Sequence, residues 1–207
     1  MLSSECYADV LGIILTGGLS SRMGQDKASL VLEDGVSFLE HTWQLLGRCV
    51  QTRLLVTRSS TFSSSYSCLE DACERHGPAG GIMTALRFAH ASHFSSVLAL
   101  ACDLPLLTEA TLRHLLRARA QRPPHILLTA YADSNGRLES LCAVYEKDAL
   151  PCFEAALTRG QYSLRTIIDE SQQLRLPMGE EEQHSLYNVN TPEDLARARD
   201  FFAAIAP

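Results

Sequence analysis

Short apolar runs alternate along this chain with longer stretches whose apolar positions recur at helical spacing. Residues 10–16 are an Ile-, Val- and Leu-rich run that stops at Gly17-Gly18, which predicts a buried strand. Ser37 and Glu40 have the spacing of a capping box. They open a predicted helix through Trp43, Leu45 and Leu46 to about Val50. Residues 53–57 predict a second strand, 59–67 a serine-rich loop, 76–81 a glycine turn and 82–91 a helix. Residues 96–103 are the most continuously apolar run, as expected of a strand covered on both faces. Thr108 caps the next helix, which ends before Pro123-Pro124. Residues 125–131 and 138–145 flank Asn135-Gly136, a turn signal that predicts an antiparallel pair. Helices at 148–158 and 163–170, a weak strand at 174–178 and a solvated acidic loop at 180–182 follow. Thr191-Pro192 opens the last helix, with Leu195 and Phe202 on one face. Repeated strand–helix units imply an α/β fold, a three-layer αβα sandwich on a Rossmann-like, mostly parallel sheet. Ligands of such sheets sit outside the carboxyl ends of the strands.

Composition narrows the function classes. The chain has 207 residues, 46% of them hydrophobic and 20% charged, which suits one soluble globular domain. With 18 basic and 24 acidic side chains the net charge is −6, which argues against binding a nucleic-acid polymer or an anionic membrane. A small polyphosphate needs only a local cluster of cations, and so is not excluded. Cys6, Cys49, Cys68, Cys73, Cys102, Cys142 and Cys152 are odd in number and show no C-x-x-C spacing. Reduced thiols are expected. The first residues carry Glu5 and Asp9 without a basic segment, so a cytoplasmic protein is expected.

The densest chemistry follows the first strand. Gly17, Gly18 and Gly24 let backbone approach a ligand. Arg22 and Lys27 add a planar fork and a point charge, a combination suited to a polyphosphate. A Walker A loop would need Gly-Lys-[Ser/Thr], but Gln25 and Asp26 follow Gly24. A Rossmann fingerprint would need G-x-G-x-x-G, and the two early glycines are adjacent. Asp103 ends the most apolar strand. A carboxylate there can hold Mg²⁺, which binds through one or two carboxylates plus substrate phosphates. The plainer alternative is a helix-capping aspartate. His90 and His93 lack a third ligand for a zinc site.

The string from Leu15 to Lys27 resembles the signature L-A-G-G-x-S-x-R-M-G-x-D-K of the MobA-like nucleotidyltransferases, with Thr16 where alanine is usual. That family includes guanylyl-, cytidylyl- and sugar-phosphate nucleotidyltransferases. The resemblance continues through Asp71 and the Gly77-Pro78-Ala79-Gly80-Gly81 turn, and through Asp103-Leu104-Pro105. It takes in the 137–145 strand, with Ser140 where proline is common, and Asn188-Val189-Asn190-Thr191-Pro192-Glu193. It implies one nucleotidyltransferase domain over residues 1–207. It implies nucleotide contacts from Leu15, Thr16, Gly17, Gly18, Lys27, Asp71, Gly81 and Asp103, with Thr16 keeping its backbone N–H available. It implies substrate contacts from Asn188 and Asn190, which period two places on one side. Arg22, Lys27 and Asp103 would be catalytic, with Asp103 holding Mg²⁺. The paired glycines lean toward the guanylyl members, whose substrates are GTP and Mo-molybdopterin. Their downstream partners are molybdoenzymes or cofactor-insertion proteins. A cytidylyl- or sugar-phosphate transferase is the alternative within the family. A non-catalytic nucleotide-binding module is the alternative outside it, against which retention of Arg22, Lys27 and Asp103 argues.

Overall fold

The computed structural model describes residues 6–16, 30–31, 35–58, 65–71 and 76–205, the last few without their side chains. The elements run β1 (Tyr7–Leu15), α1 (Phe38–Cys49), β2 (Val50–Thr57), β3 (Cys68–Glu70), α2 (Gly77–His90), β4 (Ser96–Ala101), α3 (Glu109–Ala120), β5 (Leu128–Ala132) and β6 (Leu138–Glu146). A 3₁₀ turn (Lys147–Ala149), α4 (Leu150–Thr158), α5 (Leu164–Ile167), a second 3₁₀ turn (Glu170–Gln172), β7 (Gln173–Pro177), α6 (Glu180–Ser185) and α7 (Pro192–Ile205) complete it. The strands form one sheet in the order β3-β2-β1-β4-β6-β5-β7. Only β6 runs against its neighbours, pairing antiparallel with both β4 and β5. The expected three-layer, mostly parallel sheet with an antiparallel pair is therefore what forms.

Alternation along the strands builds the layers. Leu11 and Ile13 of β1, with Val97 and Ala99 of β4, face Ile82 and Leu86 of α2 and Phe153 of α4. Val10 and Ile14, with Leu98 and Leu100, face Leu45 and Leu46 of α1 and Leu112, Leu115 and Leu116 of α3. Every residue of β4 is buried, because the middle strand is covered on both faces. Gly12 lets α1 approach the sheet: a Cβ there would lie 2.7 Å from Val50 Cγ2 and 2.9 Å from Leu46. A third cluster packs Phe38 against Val189 and Ala198, with Leu195 at its edge.

Several expectations need correction. α2 starts at Gly77, five residues before its predicted start, at what reads as a turn. Gly77 has φ +55° and Pro78 stands in the first turn, where a missing N–H costs nothing. Gly80 and Gly81 are buried inside the helix. β4 ends at Ala101, leaving Asp103 in the following turn. The predicted 163–170 helix shrinks to one turn, α5. The acidic run at 180–182 is the first turn of α6, where carboxylates meet the positive end of the helix, and Glu182 Oε2 accepts the Gly179 N–H at 3.0 Å. The short edge strand β3 is unpredicted, because three residues carry no readable period. Ser37 caps α1 as expected, accepting Glu40 N–H at 3.1 Å. The Glu40 carboxylate instead accepts from Gln44 and from the Tyr66 hydroxyl, at 2.7 and 2.8 Å. Among the described residues no helix is long and apolar enough to cross a membrane. The six described cysteines are free, and Cys73 lies outside the described residues.

Candidate active site

The topology gathers chain ends at one edge of the sheet. β1, β2, β3 and β4 are mutually parallel and end at Leu15, Thr57, Glu70 and Ala101. β6 runs the other way, so its start at Leu138 lies at this edge as well. From β1 the chain winds outward through β2 and β3, then returns to place β4 on the other side of β1. That reversal is where ligands of open α/β sheets bind. Leu15 pairs with Val56 on one side and Ala101 on the other, so two half-sites flank the end of β1. The segment that follows β1, with Gly17, Gly18, Arg22 and Lys27, lies outside the described residues.

The first half-site is a cleft lined by Leu15, Thr16, Val56, Arg58, Asp71, Gly77, Pro78 and Gly81. Gly81 sets its floor: a Cβ there would lie 2.6 Å from Leu15 Cδ2 and 3.4 Å from Val56 Cγ1. Asp71 is fixed at the rim. Its N–H donates to Thr57 O at 3.0 Å, and its Oδ1 accepts from Thr84 Oγ1 of α2 at 3.3 Å. Thr16 corrects one expectation. Its N–H is spent on Val56 O at 3.2 Å, and its hydroxyl donates to the same oxygen at 3.3 Å. It shapes the cleft wall and has no backbone donor left for a ligand. Arg58, on the turn leaving β2, is a cation that sequence reasoning overlooks; its position directly after a predicted strand is the available signal.

The second half-site joins four residues from three separate segments. The Asp103 carbonyl accepts the Val189 N–H at 3.0 Å, which brings Asn188 and Asn190 beside the end of β4. Val189 is buried against Phe38 and Ala198, while Asn188 is half-buried and Asn190 is exposed. Asn188 Nδ2 donates to Glu139 Oε2 at 3.1 Å and to Leu186 O at 3.3 Å. Glu139 Oε1 accepts the Leu141 N–H at 3.3 Å. Burial pushes the Glu139 carboxyl up, and the nearby Asp103 charge adds to this. The Leu141 N–H, the Asn188 amide and Arg165 oppose both. Glu139 is the second residue that sequence reasoning misses, since its partner Asn188 is 49 positions away.

Two caps hold the asparagine segment. Upstream, Ser185 of α6 accepts from Thr108 N and Thr111 Oγ1 of α3 at 3.1 and 2.8 Å. Downstream, Asp194 N donates to Thr191 Oγ1 at 3.1 Å, while Asp194 Oδ2 accepts from Thr191 N and Asn190 N at 2.9 and 3.0 Å. Burial raises the Asp194 carboxyl, but these N–H donors and the Tyr187 hydroxyl outweigh it and hold the carboxyl low.

Among the described residues no three metal-ligating side chains of the His, Cys, Asp and Glu types group together. His90 ends α2, and His93 packs its ring on Phe94 at 4.1 Å. The donors at the second half-site are oxygens, a carboxylate on Asp103 and an amide carbonyl on Asn188. Such a set fits a hard cation that completes its shell with phosphate oxygens and water.

Comparison with known proteins agrees with this architecture. Residues 12–175 match the model of the MobA-like NTP transferase domain. A protein of Rhodopirellula baltica named probable molybdenum cofactor guanylyltransferase is 31% identical over 195 residues, covering 90% of each chain. A Nostoc protein of the same name is 32% identical over 206 residues, covering 96% of this chain and 95% of its own. The crystal structure of molybdopterin-guanine dinucleotide biosynthesis protein A from Archaeoglobus fulgidus superposes with a TM-score of 0.76 at 22% identity, over 94% of this chain and all of that one. With the matched domain spanning most of its length, this chain belongs to the MobA-like NTP transferase family and is a nucleotidyltransferase.

Proposed function

We propose that this nucleotidyltransferase transfers GMP from GTP to the phosphate of Mo-molybdopterin, releasing pyrophosphate and forming the guanine dinucleotide form of that cofactor. The observation that carries the reading is the pair of half-sites flanking the end of β1. One is a small cleft with Asp71 at its rim; the other is an oxygen-donor cluster around Asp103. The relatives named as guanylyltransferases support the choice of nucleotide.

In this reading the base enters the cleft against Gly81, and the Asp71 carboxylate accepts from its edge. A carboxylate is acceptor-only, so it suits the donor edge of guanine. The triphosphate crosses the end of β1 toward Asp103, and Arg22 and Lys27 neutralise the phosphates and the leaving pyrophosphate. The acceptor molecule, placed by Asn188 and Asn190, attacks through its phosphate in line at the α-phosphorus while pyrophosphate departs from the opposite side. Positioning and charge neutralisation carry such a transfer. No general base is required, because a phosphate monoester is largely ionised near pH 7. Asp103, with Asn188 beside it, would hold Mg²⁺. When bound, that ion supplies charge neutralisation at the phosphates.

A thermal-shift panel of GTP, CTP, ATP and UTP with Mg²⁺ tests the nucleotide. GTP at about 100 times its Kd should raise Tm by roughly 5–10 °C, with the others well below it. Greater stabilisation by CTP would overturn the choice of base. Pyrophosphate release that requires both GTP and the molybdopterin acceptor would separate an enzyme from a binding module.

A further inference from the structure

We infer that Glu139 is a positioning residue that sets which atom of the Asn188 side chain meets the ligand. The inference rests on the proposed placement of Asn188 at the acceptor side. A primary amide has two donor hydrogens on nitrogen and two lone pairs on oxygen, and its two ends are similar in size. Left alone in a cleft it could present either. Here both hydrogens have acceptors: Glu139 Oε2 at 3.1 Å and Leu186 O at 3.3 Å. Turning the amide over would set Oδ1 against a carboxylate and a carbonyl at once, two acceptor–acceptor contacts. Oδ1 is therefore the atom left for a cation or an acceptor hydroxyl, and an amide donor is not offered to a phosphate at this position.

Glu139 can impose this because it is itself fixed. It starts on the antiparallel strand β6 and is half-buried, and its second oxygen accepts the Leu141 N–H at 3.3 Å. Asn188 is tied to Asp103 through the adjacent Val189 N–H. A chain of hydrogen bonds thus runs from a sheet strand through one carboxylate to the amide beside the catalytic aspartate. Removing the carboxylate would leave Asn188 one long contact and a free choice of orientation.

The test compares Glu139→Met, Glu139→Gln and Asn188→Ala with the double variant Glu139→Met/Asn188→Ala. Methionine fills the same space without an acceptor, whereas glutamine keeps one. Loss of a supporting contact of this kind typically costs 10–100-fold. Glu139→Met and Asn188→Ala should each lower kcat of GTP-dependent pyrophosphate release by about that much. KM for GTP should stay within about threefold, because the base cleft is elsewhere. The double variant should be no worse than about threefold below the slower single, and Glu139→Gln should lie within about fivefold of the parent.

A readout independent of turnover is the side-chain amide pair of Asn188 in a ¹H–¹⁵N spectrum, identified by its absence in Asn188→Ala. It should exchange slowly in the parent and in Glu139→Gln, and fast in Glu139→Met. An unchanged amide pair in Glu139→Met, or additive losses in the double variant, would overturn the inference. If Asn188→Ala kept full activity, the placement of Asn188 would fail instead, whatever Glu139 does. Should Glu139→Met not fold, slow exchange retained in Glu139→Gln and lost in Glu139→Ala decides the same point.

Discussion

Replacing Asp103 with alanine should abolish at least about 99% of nucleotidyl transfer, a factor of 10² or more, while leaving the fold intact. The size follows from what the carboxylate does in the proposed site. It is the charged donor where β4 ends, and loss of one well-placed electrostatic contact to a reacting group costs about 10²–10³ in rate. Preservation of the fold follows from which Asp103 atom bears structure. The Val189 N–H is held by the Asp103 backbone carbonyl, and alanine keeps that carbonyl. The asparagine segment and the packing of Val189 on Phe38 should survive. A far-UV spectrum and a Tm within about 3 °C of the parent would check this. Binding of GTP without Mg²⁺, seen as a thermal shift, should also persist, since the cleft around Asp71 and Gly81 is untouched. Lys27→Ala should lose most activity as well, but through the phosphates. Full activity in either variant would remove that residue from the reaction.

Legibility in the sequence tracked how local each signal is. The strands β1 and β4 are apolar runs whose burial on both faces leaves no polar phase to misread, and both were readable. Caps at Ser37, Thr108 and Thr191 fixed helix starts, because each is a short-range hydrogen bond written in adjacent residues. The start of α2 was not readable. Glycine and proline usually punctuate turns, but here Gly81 is small so that the helix can close on Leu15 and Val56. That is a tertiary reason with no local trace. The same holds at the site. Asp71, Asp103, Asn188 and Asn190 stood out as polar residues beside strand or helix ends. Glu139 did not, because its meaning comes from Asn188, 49 positions away. The available N–H expected at Thr16 fails for a similar reason: the partner that consumes it, Val56, belongs to another strand.

Glu146→Ala should cost about 3 kcal/mol of stability and lower Tm by roughly 10 °C without changing kcat at 25 °C. Glu146 ends β6 at the edge of the sheet opposite the active site, and its side chain is only 5% exposed. It receives Arg119 through two parallel bonds, Nε to Oε1 at 2.9 Å and Nη2 to Oε2 at 3.0 Å, and Arg122 at 2.6 Å. Arg119 reaches on to Asp9 of β1 at 2.9 Å and to Ser95, just before β4, at 2.7 Å. One guanidinium from α3 therefore ties together the starts of β1 and β4 and the end of β6, the strand that reverses the sheet direction. Truncating the carboxylate strands a buried cation, and such losses run to about 3–5 kcal/mol. Asp9 keeps part of the charge compensated, which places the expectation at the lower end. A paired replacement, Arg119→Met with Glu146→Leu, should recover most of the loss, because it removes both charges and leaves neither desolvated. Asp9 adds a pH dependence. Burial raises its carboxyl, but the Ser95 hydroxyl and Arg119 outweigh this and hold it below the usual range. A depressed carboxyl stabilises the fold above its unfolded pKa of about 4, and that share is lost as pH falls through the folded value. The parent should thus lose stability more steeply than Asp9→Asn below about pH 4 in denaturant titrations. A Glu146→Ala Tm within 2 °C of the parent would show that this network contributes little to stability.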